Sequence, residues 1–212
     1  MTNEIYGIDY LRRRLADKQT RVLLRYKYYE MKNNAQDFSS LAPEKFKGLK
    51  ETVGWCAKAV DSLADRLQFD EFQNDEFNLS EIFLSNNQDI LIDSAVLSAL
   101  ISACSFVYIR EDNGYPRLQV IDGSNATGII DPVTNLLTEG YAVLERDSMG
   151  VVKTEAYFMA GMTEIYSHGV LVQRIPNAAP YALLVPIIYR PDAKRPFGHS
   201  RISRACIAYT QT

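Results

Sequence analysis

By residue type, the best candidates for catalysis are Ser200 and the two histidines of the chain, His168 and His199. In a serine hydrolase, the serine hydroxyl attacks the substrate while a neighbouring histidine accepts its proton. Such a serine commonly stands in a Gly-x-Ser-x-Gly turn, whose second glycine permits a strained strand-to-helix connection. Here the turn begins at Gly198, but Ile202 replaces the second glycine. The nucleophile motif is therefore incomplete.

The same serine also fits the beginning of a helix. Beyond it, apolar side chains recur at helical spacing: Ile202, Ala205, Cys206 and Tyr209. A serine oxygen ahead of such a pattern accepts a hydrogen bond from a free backbone N–H of the first turn. The sequence therefore favours a structural role for Gly198 and Ser200 at the start of a closing helix. A hydrolase using Ser200 with His168 or His199 is the enzymatic alternative.

Metal and nucleotide sites are not predicted. Four carboxylates stand in the acidic stretch 70–77, but they lack the spacing of a calcium-binding loop, so a solvated linker is favoured: Asp70, Glu71, Asp75 and Glu76. Neither histidine has a carboxylate or cysteine nearby at metal-ligand spacing. The chain also has no P-loop motif. We therefore expect no catalytic, cofactor-binding or metal-binding residues.

Charge is unevenly distributed along the 212 residues. The net charge of −3 favours neither a nucleic-acid nor a membrane partner. Residues 1–32 and residues 190–204 each have a net charge of +4, whereas residues 61–94 have a net charge of −8. Such blocks are typical of solvated faces, and the alternative is a set of complementary patches for self-association. Bases and aromatics also alternate in residues 25–33, but Tyr26 and Tyr29 fit a helix's apolar face, so packing is favoured over nucleic-acid stacking.

The cysteines and the N-terminus indicate where in the cell the protein resides. Cys56, Cys104 and Cys206 are far apart in the sequence, and each lies in an apolar stretch. This pattern predicts free thiols in a reducing environment rather than a disulfide framework or a zinc site. No segment of signal-peptide type begins the chain, and the longest apolar run, 95–109, is too short to span a bilayer. The sequence thus indicates a soluble protein inside the cell.

The order of predicted elements indicates an α+β fold with N-terminal helices, an antiparallel β meander and a closing C-terminal helix. Helices are expected over 11–29, from Pro43 through Leu67, from 79 and over 89–102. Strands follow, with a hairpin turn at 113–114 and a final strand over 183–189 whose proline favours a sheet edge. A half-buried strand is expected over 152–158, with Glu155 and Tyr157 on its solvent face. The organisation predicted is a helical region (1–104), a β region of the same domain (105–190), and a loop with the start of a helix (191–212).

Five segments, taken in order, resemble the portal proteins of tailed double-stranded-DNA bacteriophages and prophages, in the group common among siphophages. They are RYKYYEMK (25–32), VGWCAKAVDSLADRLQF (53–69), EIFLSNNQDILIDSAVLSALISACSFVYI (81–109), IDPVTNLLTEGYAV (130–143) and LVPIIYRPDAKRPFGHSRIS (184–203). Family members commonly have glycine before Ser-Phe-Val, where this chain has Ala103-Cys104. The resemblance implies a wing-like α+β domain.

The resemblance also implies a structural role without an active site. A portal protein forms a ring at one capsid vertex through which DNA is packaged and ejected, in the virion and, during assembly, in the host cytoplasm. Its partners are other portal subunits, the capsid protein, the terminase and connector proteins, and no membrane. Within a ring, the charge blocks would suit head-to-tail contacts. A generic α+β interaction module is the third class considered.

Family portals continue well past Gly-x-Ser, into a channel, a clip and a crown. The closing helix of this chain has no C-terminal cap signal before Thr212. The resemblance therefore implies an N-terminal wing-region fragment, expected to be monomeric or weakly associated. Because the channel elements are missing, we expect it to bind DNA weakly or not at all.

Overall fold

The computed structural model describes residues 5–32 and 54–211. Five helices lie in these ranges: α1 Ile8–Tyr29, α2 Trp55–Ala64, α3 Leu79–Ser85, α4 Gln88–Ser102 and α5 Arg204–Gln211. Eight strands lie in the same ranges: β1 Cys104–Asp112, β2 Tyr115–Ile121, β3 Ala126–Ile130, β4 Leu137–Arg146, β5 Val152–Met159, β6 Met162–Ser167, β7 Val170–Pro176 and β8 Leu184–Ile188. No helix among the described residues is long and apolar enough to cross a membrane.

The strands form two antiparallel sheets. A five-stranded meander runs in the order β3-β4-β5-β6-β7, and a three-stranded sheet has the order β2-β1-β8. The predicted α+β fold, with helices first, antiparallel strands next and a closing helix, is confirmed. The hairpin turn is also confirmed, since Asp112 pairs with Tyr115 across residues 113 and 114. Pro186 lies in the edge strand β8, as expected of a residue that lacks an N–H.

Three clusters of buried side chains hold these elements together. One contains residues of both sheets, including Phe106, Phe158 and Leu184. The second joins the C-terminal end of α1 to α2, α4 and the segment before α5, and the third packs the N-terminal half of α1 on the five-stranded sheet. Strands β4 and β5 of the five-stranded sheet are therefore covered on both faces, by the other sheet and by α1.

Two predictions about local structure are wrong. Strand β5 is not half-buried, because Glu155 and Tyr157, expected on a solvent face, lie beneath α1 and are each 4% exposed. Helix α2 ends at Ala64, so Leu67 is not part of its apolar face and is instead exposed. The portion of the predicted helix from Pro43 to residue 53 lies outside the described residues.

The predicted start of the closing helix is also wrong. Helix α5 begins at Arg204, and the residue that caps it is Ser203, whose Oγ accepts a hydrogen bond from Cys206 N at 3.1 Å. Gly198 has a different role. Its φ is +74°, and a Cβ there would lie 2.2 Å from the carbonyl oxygen of Tyr189. Glycine is thus required where the chain leaves β8 and folds back against it.

Candidate functional site: a basic cleft beside helix α1

A cleft of about 1390 Å³ lies between α1 and the segment 195–207, with the end of α4 beneath it. Of the described residues that line it, only Asp17 is a carboxylate. Seven are lysine or arginine, and they come from both of the sequence blocks with a net charge of +4: Arg13, Arg14, Lys18, Arg21, Arg25, Arg195 and Arg204. The fold therefore converts two distant basic blocks into one concave basic surface.

Helical geometry explains the wall formed by α1. Arg14, Lys18, Arg21 and Arg25 are spaced by three or four residues, which places their side chains in one row along the helix. Like charges at this spacing destabilise an isolated helix by up to about 0.5 kcal/mol per pair. The buried residues of α1 lie at other positions of the helix and hold it to the sheet and to the other helices: Leu11, Leu15, Val22 and Tyr28.

Lys18 has the most enclosed cation of the cleft. Its Nζ donates a hydrogen bond to the carbonyl of Ala126 at 2.6 Å and lies 5.4 Å and 5.9 Å from the ring centroids of Phe106 and Phe197. Burial lowers the pKa of Lys18, and the positive charge of Arg14 lowers it further. Lys18 therefore serves mainly to join α1 to β3 and to the 195–207 segment.

Of the other six cations, Arg195 lies beside His199, and the remaining five divide into two groups. Arg25 donates to the carbonyl of Ser102 at 2.9 Å, and the Arg14 guanidinium lies 5.3 Å from the ring centroid of Phe197. Burial lowers the pKa of Arg25, and the charge of Arg21 adds to this effect. Three exposed cations have no hydrogen bond or ion pair to any described residue, and they are the groups free to meet an anion: Arg13, Arg21 and Arg204.

The two histidine side chains have different partners, and neither makes a hydrogen bond with Ser200. His199 Nε2 lies 2.5 Å from Asp192 Oδ2, and its Nδ1 lies 3.1 Å from the guanidinium of Arg195. Sequence spacing gave no sign of this Asp192 partner, which the loop before α5 brings to His199. The hydrogen bond with His199, together with the amide of Arg195, lowers the pKa of Asp192. His168 lies in the turn between β6 and β7, where its Nδ1 meets Ser167 Oγ at 3.2 Å.

Ser200 makes a structural link. Its hydroxyl donates to the carbonyl of Ile101 at 2.6 Å and accepts from the amide of Ile202 at 2.9 Å. The hydroxyl therefore donates to a backbone carbonyl, whereas a nucleophilic serine donates to a neighbouring base. The bond ties the segment before α5 to the C-terminal end of α4.

The acidic segment, residues 65–81, forms a separate surface. The rings of Phe69, Phe72 and Phe83 pack together with centroid separations of 4.9 to 6.1 Å, which folds the segment onto α3. Asp75 accepts hydrogen bonds from the amides of Leu79 and Ser80 at 2.6 and 2.7 Å, which lowers its pKa. Within the described ranges, no group of residues is arranged to hold a metal ion.

A network of buried carboxylates and tyrosines lies beneath α1 and was not predicted from the sequence. Glu139 accepts hydrogen bonds from the amides of Tyr6 and Gly7 at 2.8 and 2.9 Å and from the hydroxyl of Tyr157 at 2.6 Å. Glu155 accepts from Arg12 and from the hydroxyl of Tyr141. These bonds fasten the N-terminal half of α1 to β4 and β5.

A third buried carboxylate, that of Glu164, extends this network onto β6 and β7. Glu164 accepts from the hydroxyl of Tyr166 at 2.7 Å and from Arg174 at 2.9 Å. Burial and the neighbouring carboxylates raise the pKa of Tyr141 and Tyr157, and they raise that of Tyr166 to about 12. The tyrosines therefore act as hydrogen-bond donors, and every carboxylate in the network has a donor.

Two of the cysteines that are distant in the sequence meet in the fold. Cys56 Sγ on α2 lies 3.3 Å from Cys206 Sγ on α5, and both are free thiols, as is Cys104. Burial raises the pKa of Cys206 to about 11, and the hydrogen bond with Cys56 contributes to the shift. Apolar spacing on each helix gave no signal that the two helices would face each other here.

The sequence indicated the charge blocks but not their arrangement. The two basic blocks face each other across one cleft because of contacts between residues more than 70 positions apart in the sequence. The hydrogen bond between Arg25 and Ser102 is one such contact. Comparison with known proteins adds no assignment: no protein-family model matches this chain, and no curated protein matches it.

Proposed function

We propose that this chain is a wing-like part of a subunit of a bacteriophage portal ring. The observation that carries the proposal is the ordered resemblance of five segments to portal proteins across residues 25–203. The α+β order of elements supports it, since helices, an antiparallel meander and a closing helix follow one another as the resemblance implies. In this role the chain is a building block, and chemistry belongs to its partners.

The distribution of charge supports an assembling protein. The described surface carries a basic cleft on one set of elements and an acidic segment on another. Different patches that complement each other give head-to-tail contacts, and these close into a ring when the rotation between copies permits it. On this proposal the partners are other copies of the subunit, the capsid protein, and the terminase and connector proteins.

Hydrolysis has weaker support than assembly. In the part of the chain that the structure describes, Ser200 and His199 are each engaged with other groups and not with one another. No observation favours the hydrolase over a structural role. Under the portal proposal, the protein resides in the virion and, before assembly is complete, in the host cytoplasm, and DNA contacts belong to a channel outside this region.

The test is to tag the gene that encodes this sequence, induce particle production and quantify the protein in purified particles by mass spectrometry. A portal subunit is expected in full particles at a small and constant copy number relative to the capsid protein. Its gene is expected beside terminase and capsid genes. Particles that form normally without the protein, or a gene with no such neighbours, would contradict the proposal.

A further inference from the structure

We infer that the basic cleft is the docking site for the acidic segment, residues 65–81, of a second copy of this chain. The inference rests on the proposed function and names one contact within the assembly. It concerns which surfaces meet, which neither the fold nor the resemblance assigns.

Both surfaces carry charged side chains that have no ion pair to another described residue. Arg13, Arg21 and Arg204 make no hydrogen bond or ion pair to described residues. In the acidic segment, the exposed carboxylates of Glu71 and Glu76 likewise have no ion pair within the described ranges. Since cations at helical spacing repel one another, an anionic partner stabilises α1 as well as the contact.

Both surfaces also combine charge with apolar groups. The cleft wall includes Leu24, which is 44% exposed, and Ile207. The acidic segment presents Phe77, which is 78% exposed, between its carboxylates and Leu79. A segment with aromatic and acidic side chains can therefore meet both kinds of group in the cleft, whereas a small anion would meet only one.

The size and position of the two surfaces indicate a second copy. The cleft volume of about 1390 Å³ exceeds the roughly 300–1,000 Å³ of most small-molecule pockets, which favours a folded segment as the occupant. The chain's own acidic segment contributes no described residue to the lining. The contact thus joins one copy's segment to the next copy's cleft, a heterologous interface.

A nucleic acid fits the cleft less well. The ring of Phe197 is covered by Arg14 and Lys18, and the ring of Tyr10 lies 4.8 Å from that of Tyr6. Among the described lining residues, these aromatic rings do not form an open stacking platform for bases. The net charge of −8 over residues 61–94 also repels a polyanion that approaches the chain.

The experiment reverses each surface separately. The cleft variant is Arg13→Glu, Arg21→Glu and Arg204→Glu, and the segment variant is Asp70→Arg, Glu71→Arg and Glu76→Arg. All six residues are exposed and make no side-chain hydrogen bond or ion pair to another described residue, so both variants are expected to fold, which circular dichroism checks. A control variant alters the same number of exposed cations away from the cleft: Lys58→Glu, Arg110→Glu and Arg190→Glu.

Association is measured by sedimentation velocity across protein concentration and salt. We expect weak association of the unmodified chain that falls as salt rises to about 0.15 M and above. Each reversed variant is expected to associate at least about tenfold more weakly, and the control within about threefold of the unmodified chain. An equimolar mixture of the two variants is expected to regain association, because each reversed surface then meets its complement.

Three results would overturn the inference. One is a chain that stays monomeric at low salt up to about 1 mM. Another is a mixture of the two variants that fails to associate, or a control that weakens association as much as they do. The third is a fluorescent single-stranded oligonucleotide that binds the unmodified chain at about 0.15 M salt but does not bind the cleft variant. That result would make the cleft a nucleic-acid site.

The docking contact and the proposed function fail in different experiments. If the protein is a constituent of particles but charge reversal leaves association unchanged, the portal proposal stands and the contact is wrong. If the mixed variants regain association but the protein is missing from particles, the contact stands and the portal proposal is wrong.

Discussion

Replacing Gly198 with alanine tests the close approach of two backbone segments next to the cleft. The residue has a φ of +74°, which costs an alanine about 1–2 kcal/mol relative to glycine. The new Cβ would also lie 2.2 Å from Tyr189 O and 2.8 Å from Ile188 Cγ2. Because the nearest atom is backbone, β8 or the 198–203 segment must move.

Gly150 provides a matched control. Its φ is +81°, but a Cβ there would meet nothing within 4 Å. Gly150→Ala therefore carries only the conformational cost, partly offset by the reduced freedom of the unfolded chain, and a loss of about 1 kcal/mol is expected. Gly198→Ala adds an overpacking cost of about 1–3 kcal/mol, giving a total of about 2–4 kcal/mol.

Urea unfolding followed by far-ultraviolet circular dichroism and by the fluorescence of Trp55, the single tryptophan of the chain, measures both losses. For a chain of this length, the melting temperature is expected to fall by roughly 2–4 °C for Gly150→Ala and by about 5–15 °C for Gly198→Ala. Equal destabilisation by the two substitutions would refute the argument, because the close approach at Gly198 would then contribute nothing.

Three further outcomes follow from the site. The pKa of Tyr166 is raised to about 12, and that of Tyr141 is also raised. The stability that these hydroxyls contribute is therefore fully present below about pH 10 and is lost as pH rises towards 12. Tyr141→Phe is expected to make this loss of stability shallower when urea midpoints are measured against pH. Diamide, a diazene that takes one hydrogen from each thiol, is expected to form a disulfide between Cys56 and Cys206. The rate is expected to rise about tenfold per pH unit below the raised pKa of about 11. Intact mass and peptide mapping check this, and the absence of a linked peptide would contradict it. Ser203→Ala is expected to destabilise by about 1 kcal/mol through loss of the α5 cap, and an unchanged urea midpoint would show that the cap contributes little.

Features determined by short-range patterns could be predicted from the sequence. The turn at residues 113–114 was predicted because two residues suffice to define a tight hairpin, and it forms between β1 and β2 as expected. Pro186 marked an edge strand because a missing N–H is a local property. The α+β order followed from the change between helical and alternating apolar spacing along the chain.

Features determined by tertiary contacts could not be predicted. Alternation in β5 placed Glu155 and Tyr157 on a polar face, but α1 covers that face and supplies Arg12 from 143 residues away as a partner for Glu155. Likewise, Ser200 was predicted to cap the closing helix, but Ser203 caps it instead. The choice between them is made by the carbonyl of Ile101 at the end of α4, which accepts the hydroxyl of Ser200.

Helix α1 belongs to two of the three buried clusters, because its Leu11 and Leu15 pack on the five-stranded sheet and its Tyr28 packs with α2 and α4. With 22 residues it is a rod about 33 Å long that is anchored at both ends to different parts of the molecule. Detaching either end of α1 exposes apolar surface on the helix and on the part of the molecule that it leaves. The sheet and the helices are therefore not expected to unfold separately. Amide protons in β4, β5 and α4 are thus expected to exchange with solvent at one common free energy, with a single calorimetric peak on heating.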